Sequence, residues 1–325
     1  MTSALVTGGT GFIGSALTRR LVKDGITVRV LDNQWRGNAE RLSDIAGDFE
    51  FVEGDIRDAG TVERAVKGVD TVYHLAYING TEFFYTKPEL VLDVGIKGIV
   101  NVIDACMKCG VGDLIVASSS EVYQSPPIVP TDESAPLIIP DVLNPRYSYG
   151  GGKILTELMA INYGRNHFNR VLIFRPHNVY GPDMGWEHVL PQFVLRMKKL
   201  AEESDAPVLK FPIQGAGTEI RSFVYIDDFT DGLMVMADKG EHLGIYHIGT
   251  QEEISMTDLA SMVGHYYGRQ IEIVPGVLQA GGTSHRCPDI SKLSALGYSP
   301  KISLSEGLPR LADWYDVNTN RVPAG

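Results

Sequence analysis

The chain has 325 residues, of which 44% are hydrophobic and 21% are charged, a composition typical of a globular protein with one large domain or two coupled domains. The formal net charge of -11 argues against nucleic acid or an anionic membrane as a partner, because both bind basic surfaces. The sequence has no apolar run near the roughly 20 residues that span a bilayer and no signal-peptide pattern at its start, so we expect a cytoplasmic protein.

The first predicted elements form half of a βαβ unit. An apolar strand, residues 4–7, leads into a glycine-rich turn and then into a helix with apolar residues at helical spacing. The turn satisfies G-x-G-x-x-G at Gly9, Gly11 and Gly14, and the variant G-x-x-G-x-x-G begins at Gly8. Glycines allow a tight turn and let the backbone approach a pyrophosphate, so this segment predicts a dinucleotide site.

A second apolar strand, residues 27–32, ends at Asp32. An acid at this place hydrogen-bonds an adenosine ribose and repels a 2′-phosphate, which favours NAD over NADP. Arg36 follows closely and could pair with a 2′-phosphate, so NADP stays open as an alternative.

Strands and helices continue to alternate, and the strands are almost uniformly apolar. This pattern predicts an α/β fold with a doubly wound parallel sheet, covered by helices on both faces, and a ligand site at the carboxyl ends of the strands. Asp55 and Ile56 follow the third strand and are expected to border the adenine. The further predicted strands are residues 49–54, 70–76 and 113–119, and the predicted helices lie around 59–68 and 97–109.

Cys106 and Cys109 form a C-x-x-C motif inside the second of these helices. No second pair and no histidine cluster accompanies them in the sequence, and three cysteines in all fit a reducing compartment better than a disulfide framework. We therefore expect these cysteines to serve helix packing, and we predict no metal site.

Candidate catalytic residues follow the strand at 113–119 and open a later helix. Ser119, Ser120 and Glu121 come at the carboxyl end of the strand, where the sheet delivers side chains to a ligand. Tyr149 and Lys153 are four residues apart, so they share one helix face. We expect the lysine to lower the pKa of the tyrosine, which then takes a proton from a sugar or alcohol hydroxyl while a nicotinamide takes the hydride.

Three glycines, residues 150–152, separate this tyrosine from this lysine. Together they cost roughly 2 to 3 kcal/mol of helix propensity relative to alanine. Either a cofactor or substrate approaches closely here, or glycine fits a crowded packing site, and the sequence leaves both explanations open.

Several segments together resemble the extended short-chain dehydrogenase/reductases, and within them the NAD-dependent nucleotide-sugar epimerase/dehydratase group, over nearly the whole chain. The resemblance implies a Rossmann domain with a smaller C-terminal substrate domain, NAD as the cofactor, a nucleotide-diphosphate sugar as the ligand, and a homodimer formed through a helix bundle. The motifs are TGGTGFIG at 7–14, GDIRD at 54–58, HLA at 74–76, SSSEVY at 118–123, YGGGK at 149–153, FRPHNVYGP at 174–182, RSFVYIDD at 221–228 and HRCPDISKL at 285–293.

The resemblance also implies roles for single residues. Ser119 would hydrogen-bond the reacting hydroxyl, Tyr149 would be the catalytic base, and Lys153 would hold both the tyrosine and the ribose. Gly95 stands where the family usually has asparagine, which affects one contact near the cofactor phosphates. The predicted substrate-binding residues are Asn178, Arg221, Arg286 and Asp289, of which the arginines would pair with phosphates. The predicted cofactor-binding residues are Gly8, Gly11, Phe12, Ile13, Gly14, Asp32, Asn33, Asp55, Ile56, Leu75, Ala76, Tyr149, Lys153 and Pro176.

Glu121 distinguishes subgroups within this family. Simple 4-epimerases generally carry a small or hydroxyl residue at the matching position, whereas dehydratases and UDP-glucuronate decarboxylases carry glutamate after a hydroxyl or acid pair. The resemblance thus favours oxidation at carbon 4 of a nucleotide-bound hexose followed by loss of water or carbon dioxide. We expect Glu121 to act as a base whose pKa is raised by partial burial. A 4-epimerase with a non-catalytic Glu121 remains an alternative.

Two further functional classes are weighed against this prediction. An NADP-dependent carbonyl reductase is disfavoured by the segments around Asn178, Arg221 and Arg286, which imply a diphosphate ligand. A non-catalytic dinucleotide-binding regulator is disfavoured by the intact set of catalytic residues. We expect residues 1–175 to form the NAD-binding domain, joined by a returning strand near 244–249, and residues 176–325 to form mainly the nucleotide-sugar domain. The loop with Trp186 and His188 is expected to cover the sugar.

Overall fold

The central feature of the computed structural model, which describes residues 2–277 and 282–321, is a seven-stranded parallel sheet. The strands are Ser3–Thr7 (β1), Thr27–Asp32 (β2), Phe49–Glu53 (β3), Thr71–His74 (β4), Asp113–Ala117 (β5), Arg170–Pro176 (β6), Val179–Tyr180 (β7), Val208–Ile213 (β8), Ile220–Ser222 (β9), Val224–Tyr225 (β10), Gly244–Ile248 (β11), Glu253–Ser255 (β12), Gln270–Pro275 (β13) and His285–Arg286 (β14). The helices are Phe12–Lys23 (α1), Ala59–Val66 (α2), Thr81–Thr86 (α3), Pro88–Cys109 (α4), Tyr147–His167 (α5), Val189–Glu203 (α6), Ile226–Lys239 (α7), Met256–Tyr266 (α8), Ser291–Ser294 (α9) and Leu304–Val317 (α10).

The order of strands in the large sheet is β11-β6-β5-β4-β1-β2-β3, and the pairs are parallel. Successive residues of a strand point to opposite faces of the sheet. On one face Val6 packs in the hydrophobic cluster that includes α1 and α7, and on the other face Leu5 packs in the cluster that includes α2 and α4. Both faces are therefore buried, which explains why the strands read as continuous apolar runs. The predicted doubly wound parallel fold is confirmed.

The chain beyond β6 contributes to this sheet and also builds a second region. Strand β11 pairs with β6, close to the returning strand expected at 244–249. Helix α7 packs against α1 and so covers the large sheet as well. Beside these elements stand the pair β13-β8, the small sheet β12-β9-β14, and helices α6, α8 and α10. The ends of the predicted domains at residue 1 and residues 322–325 lie outside the described residues.

Helix α4 is longer than the sequence predicted, because it begins at Pro88 rather than near Lys97. Proline is well tolerated at the first turn, where its missing N–H would have no helical partner. The helix ends at Gly110, whose φ of 72° is the left-handed conformation that favours glycine. Cys106 is buried on this helix and Cys109 is partly buried, and both are free thiols.

The described residues offer neither a metal-ligand cluster nor a helix suited to span a membrane. No cluster of three or more histidine, cysteine, aspartate or glutamate side chains in residues 2–277 and 282–321 is arranged to hold a metal ion. In the same part of the chain, no helix combines the length and the apolar character needed to span a bilayer.

Candidate active site

A cavity of about 520 Å³ opens at the carboxyl ends of the central strands. Parallel strands that point the same way bring their following loops together here, as expected at the point where the strand order reverses. The cavity is lined by the predicted residues Gly8, Gly11, Phe12, Ile13, Gly14, Asp32, Asn33, Asp55, Ile56, Leu75, Ala76, Ser119, Ser120, Glu121, Tyr149, Lys153, Pro176, Asn178 and Arg286.

The glycine-rich turn between β1 and α1 has the space that a dinucleotide needs. Gly8 has a φ of 73°, and a Cβ atom there would come within 2.8 Å of the backbone of Ala76. A Cβ at Gly14 would overlap the carbonyl oxygen of Gly8. At Gly11, which lines the cavity, an added Cβ would meet only that carbonyl oxygen, at 3.2 Å. The turn and the N-terminus of α1 thus form a cradle that fits a pyrophosphate.

The loop after β2 is organised by Asp32. Its carboxylate accepts hydrogen bonds from the backbone N–H of Thr10 at 3.0 Å and of Gln34 at 2.8 Å. Each oxygen keeps a free lone pair, so the carboxylate fits the ribose hydroxyls of NAD. The guanidinium of Arg36, which left NADP open, forms an ion pair with Glu187 and lies 5.0 Å from the ring of Phe83.

Asp55 lies at the end of β3 beside Arg57. The Arg57 guanidinium donates to its carboxylate at 2.7 Å, and Asn33 donates to the same group at 3.1 Å. These hydrogen bonds hold the pKa of Asp55 below its ordinary value.

Tyr149 and Lys153 lie in the first turns of α5, and both are buried. The ammonium of Lys153 donates to the carbonyl oxygen of Ala117 at 2.7 Å and lies 5.9 Å from the ring centroid of Tyr149. Burial lowers the pKa of Lys153 to about 7, because the site disfavours the charged form.

The sequence prediction of a lowered tyrosine pKa is wrong for this arrangement. Burial raises the pKa of Tyr149 above its ordinary value, although a hydrogen bond with Ser119 works in the opposite direction. The main reason is that burial disfavours the charged phenolate, and the Lys153 ammonium donates its hydrogen bond to Ala117 rather than to the phenol.

Glu121 lies within a short 3-10 turn, Ser120–Val122, that begins after Ser119, whose hydroxyl oxygen accepts a hydrogen bond from the backbone N–H of Glu121 at 3.1 Å. Its carboxylate pairs with Arg286 at 2.8 Å and with Arg146 at 3.6 Å. Burial would raise the pKa of Glu121, but the nearby guanidiniums of Arg286, Arg146 and Arg221 outweigh it and the pKa lies below the ordinary value. The prediction that partial burial raises this pKa is therefore wrong.

The predicted substrate-binding residues are only partly brought together. Asn178 lines the cavity, has a φ of 41°, and donates its amide to the carbonyl oxygen of Ser222 at 2.8 Å. Arg221 and Asp289 are not among the cavity-lining residues. Arg221 donates to backbone carbonyls, including that of Ile220 at 2.7 Å, and Asp289 accepts the backbone N–H of Ser291 at 2.8 Å.

The three glycines of α5 are surrounded by protein atoms. A Cβ at Gly150 would come within 2.9 Å of the Glu121 carbonyl oxygen, and one at Gly151 within 3.2 Å of Ile139. At Gly152 it would overlap the hydroxyl of Tyr77. Of the two explanations that the sequence left open, crowded packing is the one that these contacts support.

Several cavity-lining residues were missed by the sequence analysis. Phe84 stacks on Tyr149 with ring centroids 4.7 Å apart, and Tyr77 meets the same ring edge-on. Tyr77 directly follows the HLA motif, which was a signal that could have identified it. The loop before α6 brings His188 to the cavity, whereas Trp186 packs against Tyr315. The other missed residues include Trp35, Arg41, Ile78, Leu90, Met184 and Phe223.

Known proteins share this architecture. Residues 4–249 match the model of the NAD dependent epimerase/dehydratase family. A putative UDP-glucose 4-epimerase from Methanocaldococcus jannaschii is 32% identical, with 98% of this chain and 99% of that protein covered. UDP-glucuronic acid decarboxylase 3 from Arabidopsis thaliana is 31% identical, with 97% and 90% covered.

A solved structure of a similar protein also matches this chain over nearly its whole length. The dTDP-glucose 4,6-dehydratase DesIV from Streptomyces venezuelae, crystallised with NAD, superimposes with a TM-score of 0.86 at 29% identity and covers 98% of each chain. The resemblance read from the motifs and the prediction of NAD as the cofactor are confirmed at the level of the family. The chain belongs to the NAD dependent epimerase/dehydratase family.

Proposed function

We propose that the protein oxidises carbon 4 of a nucleotide-diphosphate hexose and that the 4-ketone then loses water or carbon dioxide, with carbon dioxide from a hexuronate favoured. In that case the bond between carbons 5 and 6 breaks, carbon 6 leaves as carbon dioxide, the enolate takes a proton at carbon 5, and the hydride returns to carbon 4. The observation that carries this proposal is the position of Glu121. It lines the same cavity as Ser119, Tyr149 and Lys153, its backbone N–H donates to Ser119, and Arg286 holds it as an anion.

The first step needs a base for the 4-hydroxyl proton and an acceptor for the hydride. When bound, NAD supplies a reversible hydride acceptor at carbon 4. Tyr149 takes the hydroxyl proton, and Ser119, which is hydrogen-bonded to the phenol, orients the hydroxyl. Because burial raises the pKa of Tyr149, formation of the phenolate relies on the hydrogen bond with Ser119, which lowers this pKa, and we assign a supporting role to the positive charge of Lys153, 5.9 Å from the ring centroid.

The carbonyl at carbon 4 makes the bonds around carbon 5 labile. Loss of water from carbon 6 needs an acid to protonate the departing hydroxide, whereas loss of carbon dioxide from a carboxylate does not. Among the described residues that line the cavity, the carboxylates are Asp32, Asp55 and Glu121. Asp32 ends β2 and Asp55 follows β3, and both are assigned to the adenosine part of the cofactor, whereas ion pairs keep Glu121 ionised. Ser120 offers a hydroxyl rather than an acid, so decarboxylation fits this site better than dehydration.

The arginines around Glu121 can receive an anionic substrate. The Nε atoms of Arg146 and Arg286 are buried and have no hydrogen-bond partner within residues 2–277 and 282–321. Guanidinium groups donate paired hydrogen bonds to carboxylates and phosphates. We assign Arg286, with Asn178 and Arg221, to the sugar diphosphate, and Arg146 to a carboxylate at carbon 6.

The same ion pairs favour a second candidate, a 4-epimerase. If Glu121 only neutralises Arg286 and Arg146, it has no chemical role, and the 4-keto sugar turns over and is reduced on its other face. This candidate uses Ser119, Tyr149 and Lys153 in the same way, so it differs only after the first step.

Mass spectrometry of nucleotide sugars incubated with protein and NAD in deuterated water tests the proposal. The substrates should include hexoses and hexuronates bound to UDP, GDP, dTDP and CDP. We expect a product lighter by carbon dioxide that carries deuterium at carbon 5. A product lighter by water would assign the dehydratase branch, and an isomer of unchanged mass without deuterium would leave the 4-epimerase. Absence of turnover with every substrate would contradict the proposal.

We also propose a homodimer formed through α4 and α5, which pack against each other. Leu92, Leu155 and Leu158 are 40%, 40% and 54% exposed on these helices. A second copy that covers these leucines would remove apolar surface from water. Sedimentation is expected to give a dimer, and Leu158→Glu a monomer; a wild-type monomer at high concentration would contradict the proposal.

A further inference from the structure

Tyr77, Gly95 and Gly152 come from three separate segments and meet beside the cavity. Tyr77 follows β4, Gly95 lies in α4, and Gly152 lies in α5 directly before Lys153. A Cβ atom at either glycine would overlap the phenol of Tyr77. The ring thus occupies the space that side chains at both helix positions would fill, which accounts for a glycine at each.

The ring of Tyr77 is also the surface on which Lys153 rests. The Lys153 ammonium lies 3.9 Å from the Tyr77 ring centroid, closer than its 5.9 Å from the ring of Tyr149. The two tyrosine rings meet edge-on, with centroids 5.3 Å apart and an interplanar angle of 89°. A buried ammonium over an aromatic face gains more from this contact than an exposed one, because less water competes.

We propose that Tyr77 is a positioning residue that holds the Lys153 ammonium beside Tyr149, and that Gly95 and Gly152 are required to admit its ring. This inference deepens the proposed function and rests on it, since it concerns the lysine and tyrosine of the oxidation step. The hydroxyl of Tyr77 is buried and has no hydrogen-bond partner among the described residues, so the aromatic face rather than the hydroxyl carries the role.

Other groups also act on the charge of Lys153. Glu157 favours the ammonium, but its carboxylate is shared with Arg175 at 2.6 Å. His74 faces the lysine from β4, and burial lowers its pKa to about 3, so it is neutral. The carbonyl of Ala117 accepts a hydrogen bond from the ammonium. The groups that act on Tyr149 are Ser119, Glu121 and Arg286.

The matched variants Tyr77→Phe and Tyr77→Leu separate the ring from the hydroxyl. Both remove the hydroxyl, but only phenylalanine keeps an aromatic face for the ammonium. Without that face the neutral amine is favoured, so Tyr77→Leu is expected to lower the pKa of Lys153 by about one pH unit. Tyr77→Phe is expected to leave it unchanged.

Nuclear magnetic resonance of protein labelled with carbon-13 at the lysine side chains measures this directly in the full chain with NAD added. Lys153 is expected to titrate near pH 7, apart from exposed lysines, which titrate above about pH 10. Its signal is identified by its loss in Lys153→Met. Equal titration midpoints in Tyr77→Leu and Tyr77→Phe would overturn the inference. The readout needs no substrate, so a failed turnover assay would contradict the proposed function without touching this result.

The glycines give a second test if Tyr77→Leu folds poorly. Gly95→Ala forces the ring of Tyr77 away from α4, so it should lower the titration midpoint of Lys153 and destabilise the protein. In a Tyr77→Leu background the same substitution should cost much less, because the phenol that it would strike is gone. Equal losses of stability in both backgrounds would overturn the proposed fit between the glycines and the ring.

Discussion

At the scale of single residues, Glu121 is expected to be indispensable for chemistry after carbon 4 is oxidised. Glu121→Gln keeps the shape of the side chain but removes the charge that orients Arg146 toward the carbon 6 carboxylate, and it removes the carbon 5 base if water is the leaving group. General acid-base catalysis typically contributes roughly 100-fold to 10,000-fold in rate. Product formation from the nucleotide sugar should fall by at least about 100-fold. The same change at Glu63, which pairs with Lys108 on the surface, is the control and should have no effect. Undiminished turnover by Glu121→Gln would favour the 4-epimerase.

Lys153 gives a prediction for pH dependence. Its pKa is lowered in the folded protein to about 7, so the unfolded chain binds more protons between about pH 7 and the ordinary lysine pKa of 10.5. The contribution of Lys153 to the free energy of unfolding therefore rises with pH across this window. Lys153→Met should raise the free energy of unfolding by about 2 kcal/mol at pH 7, while abolishing catalysis. The gain should shrink as the pH approaches 10. Urea unfolding at several pH values measures this gain in stability. A gain that does not change with pH would contradict the lowered pKa of Lys153.

At the scale of elements, the start of α5 offers two glycines with opposite expected responses. At Gly151 an added methyl group meets the end of the Ile139 side chain, which is 44% exposed and can move. Gly151→Ala should therefore stabilise the protein by about 0.5 to 1 kcal/mol through helix propensity. At Gly150 the methyl group meets the backbone of Glu121 at 2.9 Å, which cannot move without displacing the site. Gly150→Ala should destabilise the protein and lower turnover. Urea unfolding of both variants compares them, and equal effects would contradict this account.

The elements of the large sheet could be predicted from the sequence, because apolar runs and glycine-rich turns are local signals. The strand at Thr27–Asp32 matches its prediction, whereas the first turns of α4 were missed because glycines at 95 and 98 break the apolar periodicity. The directions of the Tyr149 and Glu121 pKa shifts could not be predicted. They depend on how deeply Tyr149 is buried and on where Arg286 directs its charge, which are properties of the packed molecule.

At the scale of the whole molecule, Arg36 and Glu187 join the two regions across the mouth of the cavity. Arg36 lies in the loop after β2, and Glu187 lies in the loop before α6. In this ion pair Glu187 neutralises the guanidinium and engages its Nη2, whereas Nη1 has no hydrogen-bond partner among the described residues, so we expect the carboxylate to weaken the attraction of Arg36 for a 2′-phosphate. Asp32 adds repulsion against the same phosphate. We therefore expect both regions to contribute to a preference for NAD over NADP.

Glu187→Gln should release Arg36 and weaken this preference. We expect the ratio of the NADP dissociation constant to that of NAD to fall by about tenfold, a free-energy difference of about 1.4 kcal/mol. The gain in NADP affinity should come from the guanidinium of Arg36. Arg36→Met in the Glu187→Gln background should therefore restore the original ratio of dissociation constants. Titration calorimetry with each dinucleotide measures both constants. An unchanged ratio in Glu187→Gln would mean that Asp32 alone excludes the phosphate, because the released guanidinium would then have had no effect on binding.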